Sequence, residues 1–196
     1  MRRARVVFVV SVLLTALPSV ARAEFFIVPF AGMKFGGETS IIDLELAAGK
    51  KKFALGVGAR VVNNGILGYE VEFGNVAGYF SNDEEPSVVK SGSYVNDLTG
   101  SLILSFPETA IGLRPYAVIG GGLIHAASED FAEVFLVRRT VPAMSVGFGA
   151  TGMFTNNVGV RFDVRHLRSF ATDPPSGSVG HSISYSRFTI GLRLRP

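Results

Sequence analysis

The chain has 196 residues, a formal net charge of +3, 47% hydrophobic against 18% charged residues, and no cysteine. That length suits one domain, and the missing cysteine excludes a disulfide framework and thiol chemistry. The basic surplus is local: without Arg2, Arg3, Arg5 and Arg22, the 19 Lys and Arg fall to 15 against 16 Asp and Glu, which removes any electrostatic pointer to nucleic acid.

Those four arginines belong to residues 1–23, which read as a secretory signal peptide. Arg2, Arg3 and Arg5 form a basic start, Val6 to Leu17 an apolar core, and Ala21-Arg22-Ala23 a small-x-small cleavage pattern. The apolar run is too short for a spanning helix, which needs about 20 residues. Glu24 is the expected first mature residue, so a lipid-modified cysteine is excluded, and 24–196 is expected to form the single mature domain.

Eight candidate strands follow in chain order: 24–36, 52–62, 66–80, 92–106, 111–125, 141–154, 158–170 and 182–195. Each reaches the roughly 9 to 11 residues of a tilted membrane strand. The alternation is clearest late in the chain. Val158, Val160, Phe162 and Val164 oppose Gly159, Arg161, Asp163 and Arg165, and Phe188, Ile190, Leu192 and Leu194 oppose Arg187, Thr189, Gly191 and Arg193. Strand three sets Leu67, Tyr69, Val71 and Phe73 against Gly68, Glu70, Glu72 and Gly74, and strand two sets Phe53, Leu55 and Val57 against Ala54, Gly56, Gly58 and Arg60. Strand four opposes Leu98, Leu102 and Leu104 to Asp97, Thr99 and Ser101. Strands one and five are apolar on both faces, which leaves their register open.

The connections alternate in length. Asn63-Asn64-Gly65, Pro107-Glu108-Thr109-Ala110 and Thr155-Asn156-Asn157 are short, whereas 37–51, 81–91, 126–140 and 171–181 are long. Bacterial membrane barrels show that asymmetry, with tight turns on the periplasmic side and longer loops outside. A soluble up-and-down barrel also has eight alternating strands, but with its apolar face around a ligand and its charged face in water. Here the polar faces are mostly Gly, Ser and Thr, which suit a narrow barrel interior, so the apolar faces are expected to meet lipid. Phe25, Phe35, Tyr79, Phe80, Tyr94, Phe106, Phe154, Phe170 and Tyr185 lie near strand ends, where such barrels carry interfacial aromatic girdles.

Arg114-Pro115-Tyr116, Gly120-Gly121-Gly122, Gly147, Gly149 and Gly152, and the run from Asn157 to Arg165 together resemble the C-terminal half of the small eight-stranded outer-membrane β-barrel proteins, the OmpA-like transmembrane superfamily. The strand layout extends the likeness over the mature chain. The resemblance implies an outer-membrane location and a sealed or narrowly occluded barrel, without a particular activity. Two departures stand out: the chain ends in Leu194-Arg195-Pro196 where such barrels typically end in an aromatic residue read by the assembly machinery, and it stops at the last strand without a peptidoglycan-binding domain.

The candidate constellation is a cluster of charges on the inward faces: Arg60, Glu70, Glu72, Asp97, Arg161, Asp163, Arg165, Arg187 and Arg193. Charges in a narrow interior must pair or stay hydrated, so an ion-pair plug is expected, with a partner-swapping gate as the alternative. His125 near Ser128 and Glu129, and His181 near Ser182 and Ser184, supply the ingredients of a rim triad, but a triad is defined by geometry, and hydrophilic rim residues are the preferred reading. His166 lacks further ligands at metal-binding spacing. Asp83-Glu84-Glu85 and Lys50-Lys51-Lys52 are expected in solvated loops, the lysines within reach of lipid phosphates. The apolar run Phe131 to Val137 is expected either to prolong strands five and six as a protruding hairpin or to pack across the barrel mouth.

The sequence thus predicts an all-β, eight-stranded antiparallel up-and-down transmembrane β-barrel in the bacterial outer membrane. It predicts no enzyme and no cofactor or metal, but a structural or surface-interaction role in the cell envelope. A narrow pore for ions or small solutes, and a soluble periplasmic lipocalin-like lipid-binding barrel, are the alternatives. Expected partners are outer-membrane lipid and lipopolysaccharide, the assembly machinery, and an extracellular partner at the loops, with no nucleic acid.

Overall fold

The computed structural model describes residues 24–39, 51–62, 66–79, 93–128, 137–170 and 183–196. Residues 1–23, the turn at 63–65, and most of the long connections, including Asp83-Glu84-Glu85, Lys50, Glu129, Phe131 and His181, lie outside them. The described chain forms β1 (Glu24–Thr39), β2 (Lys52–Val62), β3 (Leu67–Ala77), β4 (Tyr94–Ser105), β5 (Leu113–Ser128), β6 (Val137–Met153), β7 (Val158–Ser169) and β8 (Ile183–Leu194). Each strand pairs antiparallel with its sequence neighbours and β8 closes onto β1, giving one barrel in which no sheet edge is left along the shared rungs. Closure satisfies the backbone polar groups without water, which a strand in hydrocarbon requires.

Strand pairing follows the alternation. On β2 the register sets Arg60 opposite Phe26 of β1 and Glu70 of β3, while Ala59 meets Ile27 and Val71. Arg60 and Glu70 are buried inside, whereas Ile27 and Val71 are 42% and 57% exposed outside. The outer surface is consequently a continuous apolar belt that includes Phe53, Leu55, Val57, Leu102, Phe148, Ile190 and Leu192. An exposed patch on that scale is far beyond what a monomer carries in water. It is the reverse of a soluble ligand-binding barrel and the arrangement that lipid demands.

The strand ends differ from the expected bounds mainly at the end with the long connections, here the loop end. The opposite end, carrying both termini and the connections 63–66, 106–112 and 154–157, is the turn end. β5 and β6 run on together to the rung Ser128–Val137, so Val137, Arg138, Arg139 and Thr140 belong to β6 and not to a loop. β1 continues to Thr39 through an irregularity between Phe35 and Glu38, where Gly36 has φ 58°, a conformation open mainly to glycine and common in bulges. The connection between β4 and β5 is wider than Pro107 to Ala110. Thr109 accepts from the Gly112 amide at 3.0 Å, and Gly112 has φ 76°.

Register also resolves the two ambiguous strands. β1 turns Phe26, Val28, Phe30 and Lys34 inward and Phe25, Ile27, Met33 and Phe35 outward. β5 turns Tyr116, Val118, Ile124 and Ala126 inward and Ile119 and Leu123 outward. Both strands are apolar on both faces because the interior is itself layered. An apolar cluster of Val76, Tyr79, Val95, Ile124, Leu167 and Tyr185, among others, fills the loop end. A smaller one of Ile103, Tyr116 and Val118 lies toward the turn end. Charge is confined largely to the layer between them.

Two expectations are overturned here. Tyr79 and Tyr185 are not girdle residues: both are buried inside the barrel, edge to face with ring centroids 5.7 Å apart. Lys52 is not a loop residue at the lipid surface but the first residue of β2, buried and facing the interior beside its rung partner Lys34.

Candidate functional site: the charged barrel interior

Residues two apart on a strand share a face, so β3 delivers Glu70 and Glu72 side by side and β7 delivers Arg161, Asp163 and Arg165. β2 adds Arg60, β4 Asp97 and β8 Arg187. In a closed ring of eight, β3 lies opposite β7 and β4 opposite β8, so pairs between them cross the full lumen. Arg161 does this with both terminal guanidinium nitrogens, Nη1 to Glu70 Oε2 at 2.8 Å and Nη2 to Glu72 Oε2 at 2.6 Å. Arg165 bonds Glu70, approaches Glu72 at 3.3 Å, and holds Asp163 on its own strand at 2.8 Å. Arg187 bonds Glu72 and reaches Asp97 Oδ2 at 2.9 Å, and Arg60 donates its Nε to Glu70 at 2.8 Å.

The network is balanced. Four guanidiniums face four carboxylates, and every carboxylate is held by at least one guanidinium. All eight side chains are essentially inaccessible to solvent. Taking such charges out of water costs several kcal/mol per ion unless partners and hydrogen bonds replace the hydration. Two tyrosines supply part of that replacement: Tyr185 donates to Asp97 at 2.9 Å and Tyr116 donates to Asp163. The Arg60 guanidinium lies 4.4 Å from the Tyr116 ring centroid, and those of Arg187 and Arg161 lie 5.1 and 5.4 Å from that of Phe30.

Glycines make the room. A Cβ on Gly74 would collide with Arg187 and Asp97, one on Gly149 with the Tyr116 ring, and one on Gly56 with Phe30. The Gly-rich inward faces are thus the complement of large interior side chains, and together they fill the barrel as side chains fill other eight-stranded barrels.

Eight of the nine charges singled out from sequence meet in this one network, and Arg193 does not. It sits near the turn end with its guanidinium 3.6 Å from the Phe26 ring centroid. Four interior residues that sequence reasoning left outside the constellation belong to or border it: Tyr116, Tyr185, Lys34 and Lys52. Lys34 lies at the loop end with its ammonium 4.2 Å from the Tyr79 ring centroid. The histidines form no triad among the described residues. His125 Nδ1 lies 2.8 Å from Thr140 Oγ1, and His166 Nδ1 lies 3.0 Å from Ser186 Oγ. No group of three metal-ligating side chains occurs among the described residues.

In chemical terms the arrangement is a brace. Guanidinium–carboxylate pairs tie opposite walls together and occupy the space through which a solute would pass.

No protein-family profile matches the chain, and no curated protein matches it in sequence. Solved structures do match it in shape. Neisserial surface protein A superposes with a TM-score of 0.64 at 19% identity, over 89% of this chain and 99% of that one. Ail, the attachment invasion locus protein of Yersinia pestis, solved with the heparin analogue sucrose octasulfate, gives 0.53 at 15% identity over 88% and 99%. The N-terminal β-barrel domain of Pseudomonas aeruginosa OprF gives 0.52 at 11% identity over 86% and 97%. At these identities the likeness is one of fold, and it agrees with the apolar exterior and the closed eight-strand topology: this chain has the fold of the small eight-stranded outer-membrane β-barrels of OmpA-like type.

Proposed function

We propose that the protein is a non-enzymatic component of the bacterial outer membrane, exported with loss of residues 1–23, which serves a structural or surface-interaction role. The observation that carries this reading is the combination of an apolar exterior with an interior braced by ion pairs across its diameter. The first calls for lipid, and the second leaves the lumen filled. What remains free to meet other molecules is the loop end, where the four long connections emerge, and the short-turn rule places that end outside the cell. Lipopolysaccharide and an extracellular partner are the contacts this orientation offers.

The experiment is fractionation of cells producing the full chain, followed by gel electrophoresis of the membrane extract with and without boiling. Heat-modifiable mobility in the outer-membrane fraction is expected, together with cleavage of intact cells' protein only in the long connections. Recovery as a soluble periplasmic product would overturn the membrane assignment, and cleavage at 106–112 would overturn the orientation.

A further inference from the structure

We infer that the turn-end mouth of the barrel is a binding site for a phosphate-type oxyanion, built on Arg193 and Arg60. The four arginines and four carboxylates of the central network cancel, which leaves Arg193 as a surplus cation. It is 7% exposed, its Nε has no hydrogen-bond partner among the described residues, and its described contact is the face of Phe26. A buried cation without a counter-charge is costly even when an aromatic face offsets part of the desolvation.

The surroundings sharpen the point. Phe26 has Arg60 as its inward-facing rung partner on β2, and the Arg60 guanidinium lies over the Tyr116 ring, 4.4 Å from its centroid. Arg60 spends its Nε on Glu70, but its Nη2 is buried without a partner. The other charged groups facing Arg193 are Glu24 and Arg114. The Glu24 carboxylate is taken by Arg195 at 3.0 Å, and Arg114 directs its Nε to the Phe106 carbonyl at 3.1 Å. Two guanidiniums of the turn-end layer, Arg193 over Phe26 and Arg60 over Tyr116, thus each carry a donor unused among the described residues, and Arg193 is the cation left over once the central pairs are counted. An oxyanion accepting from Arg193 Nε and Arg60 Nη2 would complete both, since guanidinium forks match phosphate oxygens.

A free phosphate and the headgroup of an anionic phospholipid share this chemistry, and the test separates them. The full chain, folded in neutral detergent, is titrated with inorganic phosphate against chloride at equal ionic strength, with tyrosine fluorescence and the thermal unfolding midpoint as readouts. A saturable response to phosphate is expected. R193Q should raise the half-saturating concentration at least tenfold, R193K should retain an intermediate response, and K51Q, exposed at the opposite end of the barrel, should behave as wild type. Heat-modifiable mobility confirms that each variant is folded. A wild type that responds equally to chloride, or an R193Q response equal to wild type, overturns the site. In phosphatidylglycerol nanodiscs, loss of the phosphate response that persists in phosphatidylcholine nanodiscs identifies the headgroup as the occupant. Persistence in both identifies the soluble anion.

Discussion

Arg187 on β8 and Asp97 on β4 meet at 2.9 Å although three strands lie between them on either side of the ring. Their pair therefore spans the barrel, and with Arg161 reaching Glu70 and Glu72 from β7 it ties both diameters of the same layer together. Since Tyr185 also donates to Asp97, this carboxylate accepts from two successive inward residues of β8.

Asp97→Leu alone should be strongly destabilising, by about 3–5 kcal/mol, because it leaves the buried network with four guanidiniums against three carboxylates, Arg187 holding only Glu72, and takes the acceptor from Tyr185. Arg187→Met combined with Asp97→Leu should cost clearly less, since Glu72 keeps Arg161 and Arg165. Urea unfolding in lipid vesicles, read by gel mobility, measures both. A double variant no better than the single would show that the pair contributes through packing and not through charge balance.

Alternation made the strands legible where one face had to be small or charged. β2 occupies the expected span 52–62 because Ala54, Gly56, Gly58 and Arg60 contrast with Phe53, Leu55 and Val57. β1 and β5 offered no such contrast, since the interior beside Phe26, Phe30, Val118 and Ile124 is apolar as well. The inward turn of Tyr185 was readable in principle: it stands two residues before Arg187 and shares its face. Tyr79 was not, because Gly78, with φ 64°, breaks the alternation after Ala77 and redirects the chain. Lys52 was masked by its neighbours Lys50 and Lys51, although its parity matches Ala54 and Arg60. Charge type picked out the network members, but which carboxylate meets which guanidinium follows from register and closure, and neither is encoded locally.

Tyr116 links the network to the turn-end apolar cluster, with its hydroxyl on Asp163 and its ring under Arg60. Tyr116→Phe keeps the ring and removes the donor, so Asp163 retains only its bond from Arg165. A loss of about 1–3 kcal/mol is expected, the range for leaving a buried acceptor short of a partner, with more for a charged one. Tyr116→Leu should cost more, because the Arg60 stacking face goes too. Equal effects of the two substitutions would assign the whole role to the hydroxyl.

A braced lumen should not conduct. In planar bilayers the wild-type protein is expected to give no current steps, and Asp163→Ala, which removes one carboxylate but leaves Glu70 and Glu72 bridging β3 to β7, should also stay silent. Discrete steps from wild type would show that the pairs exchange partners and would favour the narrow-pore reading instead.

The exterior can be tested by depth. On β4 the outward residues run from Asn96 near the loop end through Leu98, Gly100, Leu102 and Leu104, with Phe106 just beyond the strand at the turn end. Asn96 is tied laterally to Asn75 of β3 at 2.6 Å, which marks a polar rim above the apolar belt. Leu102 is 49% exposed within that belt. Arginine at a lipid-facing site costs about 2–4 kcal/mol near the bilayer midplane and about 0–1 kcal/mol near the interface. Leu102→Arg should therefore destabilise the folded barrel in vesicles by the larger amount and Asn96→Arg by the smaller. An inward-facing control, Thr99→Val, replaces a buried hydroxyl that makes no hydrogen bond among the described residues with a methyl of similar volume, and should be nearly neutral or stabilising. The order Leu102→Arg, Asn96→Arg, Thr99→Val in decreasing cost, measured by urea unfolding in vesicles, is what an apolar face in contact with lipid requires. Equal costs for the two arginine substitutions would mean that Leu102 does not meet hydrocarbon.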